Sequence, residues 1–364
     1  MKPDFAPARV LLAGIKFDAG DLKNGLADLD RAVADNPAAL DPYITRSVLR
    51  AEQGETARAE KDLLPLLDQF PKAEERAVTY RALAWVMLNQ KKYGAARQFL
   101  QQAAQARPDS PETFYLSALT YLAENRPDAA LSLIHSHLRS HPESAEGYAV
   151  AGQIAGMAGR DAESETYFKQ AISINPQLRP AWEGLGLVLS AEAKYDAALD
   201  AFNKVVQLSP DPGPAYLHIA QLQERRADWN QAQTAYRKSL ELEADNVVAK
   251  NNLAWSYAEH GGNIDVALRL AQEANQAKPD DPEICDTLGW IYVRKNTPGA
   301  AIQVLKKSVA LAPKNPEYNY HLGMAYLSAG DTAKAKELLE ATLYLEPASP
   351  LAEDVKKTLA SLKN

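Results

Sequence analysis

Cysteine is nearly absent from this chain of 364 residues. Cys285 is its only example, which excludes an intramolecular disulfide and any four-cysteine zinc site. Long apolar runs are missing as well. No uncharged stretch exceeds the thirteen residues of 147–159 and 318–330, whereas a bilayer-spanning helix needs roughly 18–20. No basic-then-apolar segment opens the sequence in the manner of a secretory signal. Glycine (18) and proline (22) are too scarce for a low-complexity chain, and a hydrophobic share of 46% is ordinary, so whole-chain disorder is excluded. Positive charge is in deficit: 40 lysines and arginines face 47 carboxylates, a net charge of -7. That balance argues against a broad phosphate-binding surface and against a nucleic-acid partner. Sustained two-residue alternation, the mark of half-buried strands, is also lacking.

Catalytic signatures are equally scarce. There is no GK[ST] phosphate loop and no HExxH. Gly184 and Gly186 form a lone GxG without the third glycine or a preceding strand, so a dinucleotide site is excluded. His135, His137 and His141 lie close in sequence, but the first two point to different sides of a helix and the third sits at its end. No nucleophile, base and oxyanion donor come together in the pattern. The expectation is a non-catalytic chain with no cofactor and no metal.

What the sequence has in abundance is a repeat. Prolines fall at 37, 71, 108, 142, 176, 210, 279, 313 and 347, with Ala244 filling the gap. The spacing is 34 residues with two small insertions. With these prolines set at position 32, position 8 reads Ala13, Ser47, Ala84, Ala118, Gly152, Gly186, Ala220, Ala254, Gly289 and Gly323. Position 20 reads Gly25, Ala59, Ala96, Ala130, Ser164, Ala198, Ala232, Ala267, Ala301 and Ala335. Every one of the twenty is small. Two small residues twelve apart let a pair of antiparallel helices approach closely, and large residues such as Trp182, Leu185, Leu189, Phe202 and Val205 surround them at helical spacing. Turn signals separate the halves: Ala19-Gly20-Asp21, Gln53-Gly54-Glu55, Gly159-Arg160-Asp161 and Ala329-Gly330-Asp331. Prolines 42, 111, 180, 214, 282 and 316 fall in the next first turn, where a missing N–H costs nothing.

These columns resemble the tetratricopeptide repeat family over essentially the whole chain, most fully in repeat six (Trp182, Leu185, Gly186, Leu189, Ala198, Phe202, Val205, Pro210). Cys285 and Arg9 replace the usual aromatic in repeats nine and one. The resemblance implies an all-α, right-handed solenoid of about ten helix-turn-helix units. It also implies that positions 2, 5, 9, 12 and 13 of each first helix line a concave groove.

Irregularities divide the array. Pro65 lies inside the second helix of repeat two, and three extra residues separate Pro71 from Ala77. The expected organisation is residues 1–76 as two leading units with a hinge at 65–76, 77–348 as the main array, and 349–364 as a capping helix. Repeat eight carries one extra residue at His260-Gly261-Gly262-Asn263, read as a longer turn. At the other end, Lys2-Pro3-Asp4 reads as the tail of a preceding unit, so the array is expected to begin in mid-pattern within a longer protein. An upstream signal or domain would decide the compartment, with a periplasmic or envelope setting slightly favoured over the cytoplasm.

Function is expected in the groove. Tryptophans recur at position 9 (Trp85, Trp255, Trp290), joined by Met324, and position 5 supplies Asn251, Asp286 and Tyr320. Together Trp255, Trp290, Tyr320 and Met324 form a candidate aromatic strip, edged by Asn251, Glu259, Asp286 and Arg294. The competing reading wedges each indole between neighbouring first helices. Some members of the family clamp a partner's terminal carboxylate with lysine and asparagine; position 5 here has no lysine ladder. Arg225 and Arg226 read as a solvated edge. The segments 251–255 and 286–292 look like the closing repeats of bacterial members tied to envelope assembly, exopolysaccharide export or protein sorting. The expected partner is a protein or peptide segment, with self-association through the first repeat, or service as the regulatory portion of a larger enzyme, as alternatives.

Overall fold

The structure, a computed structural model, describes residues 6–18, 21–108 and 110–362. Lys2-Pro3-Asp4, the Ala19-Gly20 turn and Lys363 lie outside the described residues. The chain divides into two compact units, residues 1–188 and 189–364. In the first, α1 (Ala6–Asp18) pairs with α2 (Leu22–Asp35), and α3 (Asp41–Glu52) with α4 (Thr56–Leu63) and the short α5 (Leu66–Gln69). Next come α6 (Ala73–Asn89) with α7 (Tyr93–Ala106), α8 (Pro111–Ala123) with α9 (Pro127–Ser140), and α10 (Ala145–Met157) with α11 (Asp161–Ile174). The division falls within α12 (Arg179–Ala191). The second unit continues with α13 (Tyr195–Leu208), then α14 (Gly213–Arg225) with α15 (Trp229–Leu242) and α16 (Val247–His260) with α17 (Ile264–Ala277). It closes with α18 (Pro282–Arg294) and α19 (Pro298–Leu311), α20 (Pro316–Ser328) and α21 (Thr332–Leu345), and the single α22 (Pro350–Ser361). No strand occurs among the described residues.

The small columns make this packing. All twenty position-8 and position-20 residues are buried. Within a hairpin the two columns meet where Ser164 Oγ donates to the Gly152 carbonyl at 2.7 Å, and the partner helix crowds the column elsewhere: a Cβ added at Gly289 would stand 2.3 Å from Leu305 Cγ. A larger side chain here would overpack the hairpin, at about 1–3 kcal/mol. Helix starts are fixed locally: the side chains of Asn246, Asp281 and Asn315 accept from the first-turn N–H groups of α16, α18 and α20, each cap contributing roughly 1 kcal/mol.

Position 15, the turn between the paired helices, has positive φ in the nine repeats where it falls among the described residues. Glycine fills it at 54, 159, 261 and 330, but Lys91, Asn125, Ala193, Ala227 and Asn296 take the same conformation. Pro65 splits the second helix of repeat two into α4 and α5, with Leu63 and Leu66 both buried across the break. The three-residue insertion is absorbed as an extra turn at the start of α6, whose 17 residues exceed the 13 typical of first helices. One hydrophobic cluster, including Leu63, Leu66, Phe70, Leu83 and Leu100, runs past the insertion.

The longer turn of repeat eight is held from the preceding hairpin. Trp229 stacks on His260 with ring centroids 3.4 Å apart, and Gln233 Nε2 donates to the Gly261 carbonyl at 2.9 Å. At the chain's end α22 buries Ala352 and Val355 and leaves Lys356 and Lys357 in water, with Ser349 as its N-cap. On α1, Leu11 (68%) and Ile15 (58%) are exposed.

Candidate binding concavity

In the second unit, α14, α16, α18 and α20 surround a cavity of about 390 Å³. Its lining is regular. Glu224 is position 12 of repeat seven, Asn251 and Trp255 are positions 5 and 9 of repeat eight, Glu283 and Asp286 are positions 2 and 5 of repeat nine, and Glu317 is position 2 of repeat ten. Asn252, Thr287, Asn315 and Tyr318 complete it. The cavity is therefore built from the columns implied to be concave.

Its floor is polar and buried. Asn251 is 4% and Asp286 5% exposed. His321 Nδ1 donates to Asp286 Oδ2 at 2.8 Å, while Asp286 Oδ1 is buried with no partner among the described residues. Asn251 Nδ2 is 3.5 Å from Glu283 Oε1, and Asn251 Oδ1 has no donor among the described residues. Tyr236 Oη donates to Glu224 Oε2 at 2.7 Å, leaving Glu224 Oε1 unpaired. Burial raises the Glu224 carboxyl above its usual range, partly offset by the Tyr236 hydrogen bond. Glu283 at the mouth is raised by desolvation within the concavity, then by Asp281, Asp286 and Glu317. Glu317 is raised by desolvation and by Asp286, Glu259 and Glu346, against the opposing influence of His321. The Tyr318 hydroxyl is pushed up to about 12 by burial, then by Asp286, Glu283, Glu317 and Asp281.

The candidate strip separates into two neighbourhoods. Asn251, Trp255 and Asp286 line the cavity, Trp255 half-buried as a wall and the two polar residues in the floor rather than at an exposed rim. Trp290 is 9% exposed, stacked on His321 at 4.1 Å and donating Nε1–H to Glu259 Oε1 at 2.7 Å. It is wedged between first helices. Tyr320 lies 6.0 Å from it, and the exposed Arg294 approaches Glu259 at 3.8 Å. Met324 is half-buried on α20, outside the cavity lining. Trp85 belongs to the first unit, where it packs partly buried against the Leu63–Leu83 cluster. Glu224, Glu283 and Glu317 were not singled out in the sequence; reading columns 2 and 12 alongside 5 and 9 would have found them.

The first unit has a cavity of its own, about 380 Å³, on the equivalent columns of α8, α10 and α12. It is more apolar, lined by Tyr115, Met157, Leu187 and Val188, with Phe168 at its base beside Gly152 and Gly184. Among the remaining candidates, His137 stacks on Phe114 at 4.1 Å and His135 Nε2 pairs with Tyr167 Oη at 2.8 Å. Cys285 is buried, its thiol raised by burial. No group of three or more His, Cys, Asp or Glu able to hold a metal ion occurs among the described residues.

Helix hairpins joined through small columns, with cavities on their first-helix faces, define a helical repeat protein. Models of the tetratricopeptide repeat match residues 87–154 and 292–359, 44–111 and 217–282, and 145–178 and 180–212. Together they run from residue 44 to residue 359 with short gaps, and none describes an enzyme domain. The chain belongs to the tetratricopeptide repeat family. It is 30% identical over 103 residues to the DnaJ homolog subfamily C member 7 homolog of Schizosaccharomyces pombe, a match covering 27% of this chain and 21% of that protein. It is 32% identical over 71 residues to a TPR repeat-containing protein of Pseudomonas aeruginosa, covering 20% of this chain and 12% of that one. The match thus spans about a fifth or less of these curated relatives. The crystal structure of the APC/C hetero-tetramer Cut9–Hcn1 is similar in fold, with a TM-score of 0.57 at 15% identity, covering 99% of this chain and 76% of that one.

Proposed function

We propose that this chain is a non-catalytic scaffold that captures a peptide or protein segment on its first-helix columns, with the second-unit cavity as the capture site. The observation that carries the reading is the coincidence of columns: four successive first helices contribute positions 2, 5, 9 and 12 to one concavity, and that concavity leaves buried acceptors unpaired. Unpaired buried polar atoms are costly in a folded protein, and a ligand that satisfies them recovers that cost. Trp255 supplies the aromatic anchor and the carboxylates the selectivity. The likeness of segments 251–255 and 286–292 to closing repeats of bacterial family members supports a place in envelope assembly, polysaccharide export or protein sorting.

The test separates Trp255 from Trp290. Dodecapeptides selected from a random library on the full chain should bind Trp255→Ala at least tenfold more weakly, about 1.4 kcal/mol, with its unfolding unchanged within about 0.5–1 kcal/mol. Trp290→Ala should instead destabilise the fold by about 3–5 kcal/mol. Peptides indifferent to Trp255 would refute the groove. A second reading, self-association, is favoured by the exposed Leu11 and Ile15 on α1. It predicts concentration-dependent light scattering that Leu11→Glu with Ile15→Glu abolishes; a monomer at all concentrations sinks it.

A further inference from the structure

The cavity of the second unit has one chemical bias. Each of its buried, unpaired side-chain atoms (Glu224 Oε1, Asn251 Oδ1 and Asp286 Oδ1) is an acceptor. Asn251 and Asp286 are more than nine-tenths buried and are among the residues that line the space. No lysine, arginine or histidine among the described residues lines it. Among the described residues, none of Glu224, Glu283 and Glu317 forms an ion pair with a lysine or arginine, and Asp286 is met only by His321, on its other oxygen. The nearby cation Lys250 is taken up by Glu273 at 2.9 Å.

We propose that this cavity receives a cationic side chain, an arginine or lysine of the captured polypeptide segment. The inference rests on the groove reading and names its selectivity. A guanidinium carries five N–H donors and no acceptor, the complement of a cavity whose unpaired buried atoms among the described residues are all acceptors. The face of Trp255 supplies a surface on which such a cation is held. A bare metal ion fits poorly, because the space is about 390 Å³ and no metal-holding group is present among the described residues. An anionic ligand, including a terminal carboxylate, would meet Glu224, Glu283, Asp286 and Glu317 with like charge. A purely apolar anchor would leave the three acceptors unpaired. The carboxyls of Glu224, Glu283 and Glu317 all lie above the usual range, as expected of crowded acids without a counter-ion.

The test uses the full chain and two probes. N-acetyl-L-arginine methylamide is titrated by calorimetry beside its neutral isostere N-acetyl-L-citrulline methylamide, and the library-selected dodecapeptides are resynthesised with each arginine replaced by citrulline. The arginine probe should bind at least tenfold more tightly than the citrulline one. Selected peptides should share a basic residue whose conversion to citrulline costs at least tenfold. Glu283→Gln with Glu317→Gln, both at the exposed mouth, should reduce that discrimination at least threefold while the fold survives, and Asp286→Asn should reduce it further. Peptides that require Trp255 yet ignore the citrulline exchange would overturn the inference and leave the groove standing. Peptides that ignore Trp255 would remove the groove, and then equal binding of the two small probes removes the cation site as well. Spermidine binding this site more tightly than any selected peptide would overturn the assignment to a side chain in favour of a free polyamine.

Discussion

Asp286 is the residue on which the site turns. One carboxylate oxygen is held by His321 and the other is buried without a partner among the described residues, so the side chain that ties α18 to α20 also lines the concavity. The surrounding acids set a pH-dependent penalty. Glu224, Glu283 and Glu317 have folded-state values above their ordinary ones, so ionising them opposes folding. The penalty is absent below the unfolded glutamate value of about 4.3, grows as pH rises through the elevated folded values, and is complete above them. Facing these acids are Asp281, Asp286, Glu259 and Glu346 with His321 and Tyr236. Glu283→Gln with Glu317→Gln should therefore raise the Tm by about 2 °C at pH 7.5 and leave it unchanged near pH 4. A variant less stable than wild type at pH 7.5 would mean that these carboxylates are already satisfied. Asn251, Trp255 and Asp286 were legible in the sequence because the repeat register assigns them to concave columns. Their burial was not, since register gives a direction and says nothing of how closely neighbouring helices close over a side chain.

The elements show a similar division between what register fixes and what local chemistry adds. Glycine marks the turn at 54, 159 and 330, and proline marks the break at 65, all visible in the sequence. Lys91, Ala193 and Ala227 occupy the same positive-φ position with no glycine to announce it; only the 34-residue count locates them. There the hairpin imposes a conformation that an L-residue adopts at a cost of about 1–2 kcal/mol. Ala227→Gly should stabilise the second unit by roughly 0.5 kcal/mol, the relief of strain less the entropy of glycine. Gly159→Ala should cost about 1 kcal/mol in the first. Urea melts that reversed these signs would show that the turns do not carry the strain. The insertion before Ala77, an irregularity in the repeat spacing, is a turn of helix, because Ala73-Glu74-Glu75-Arg76 is itself a good helix former with acids at its amino end.

For the molecule as a whole, the two small columns account for the fold: all twenty residues are buried, and the hairpins they allow present their first helices as a continuous set of columns within each unit. Each unit then carries its own cavity on those columns, apolar in the first and acidic in the second. The repeat, and with it the architecture, was legible because close helix approach demands small residues at a fixed spacing. The ligand was not, because any side chain fits a concave column sterically, and only the pairing of polar atoms distinguishes an acceptor floor from a neutral one. Hydrogen–deuterium exchange of the full chain with and without a selected dodecapeptide tests the central claim most directly. Slower exchange confined in the second unit to α14, α16, α18 and α20 is the predicted result; slowing confined to α15, α17, α19 and α21, or to α1, would contradict it.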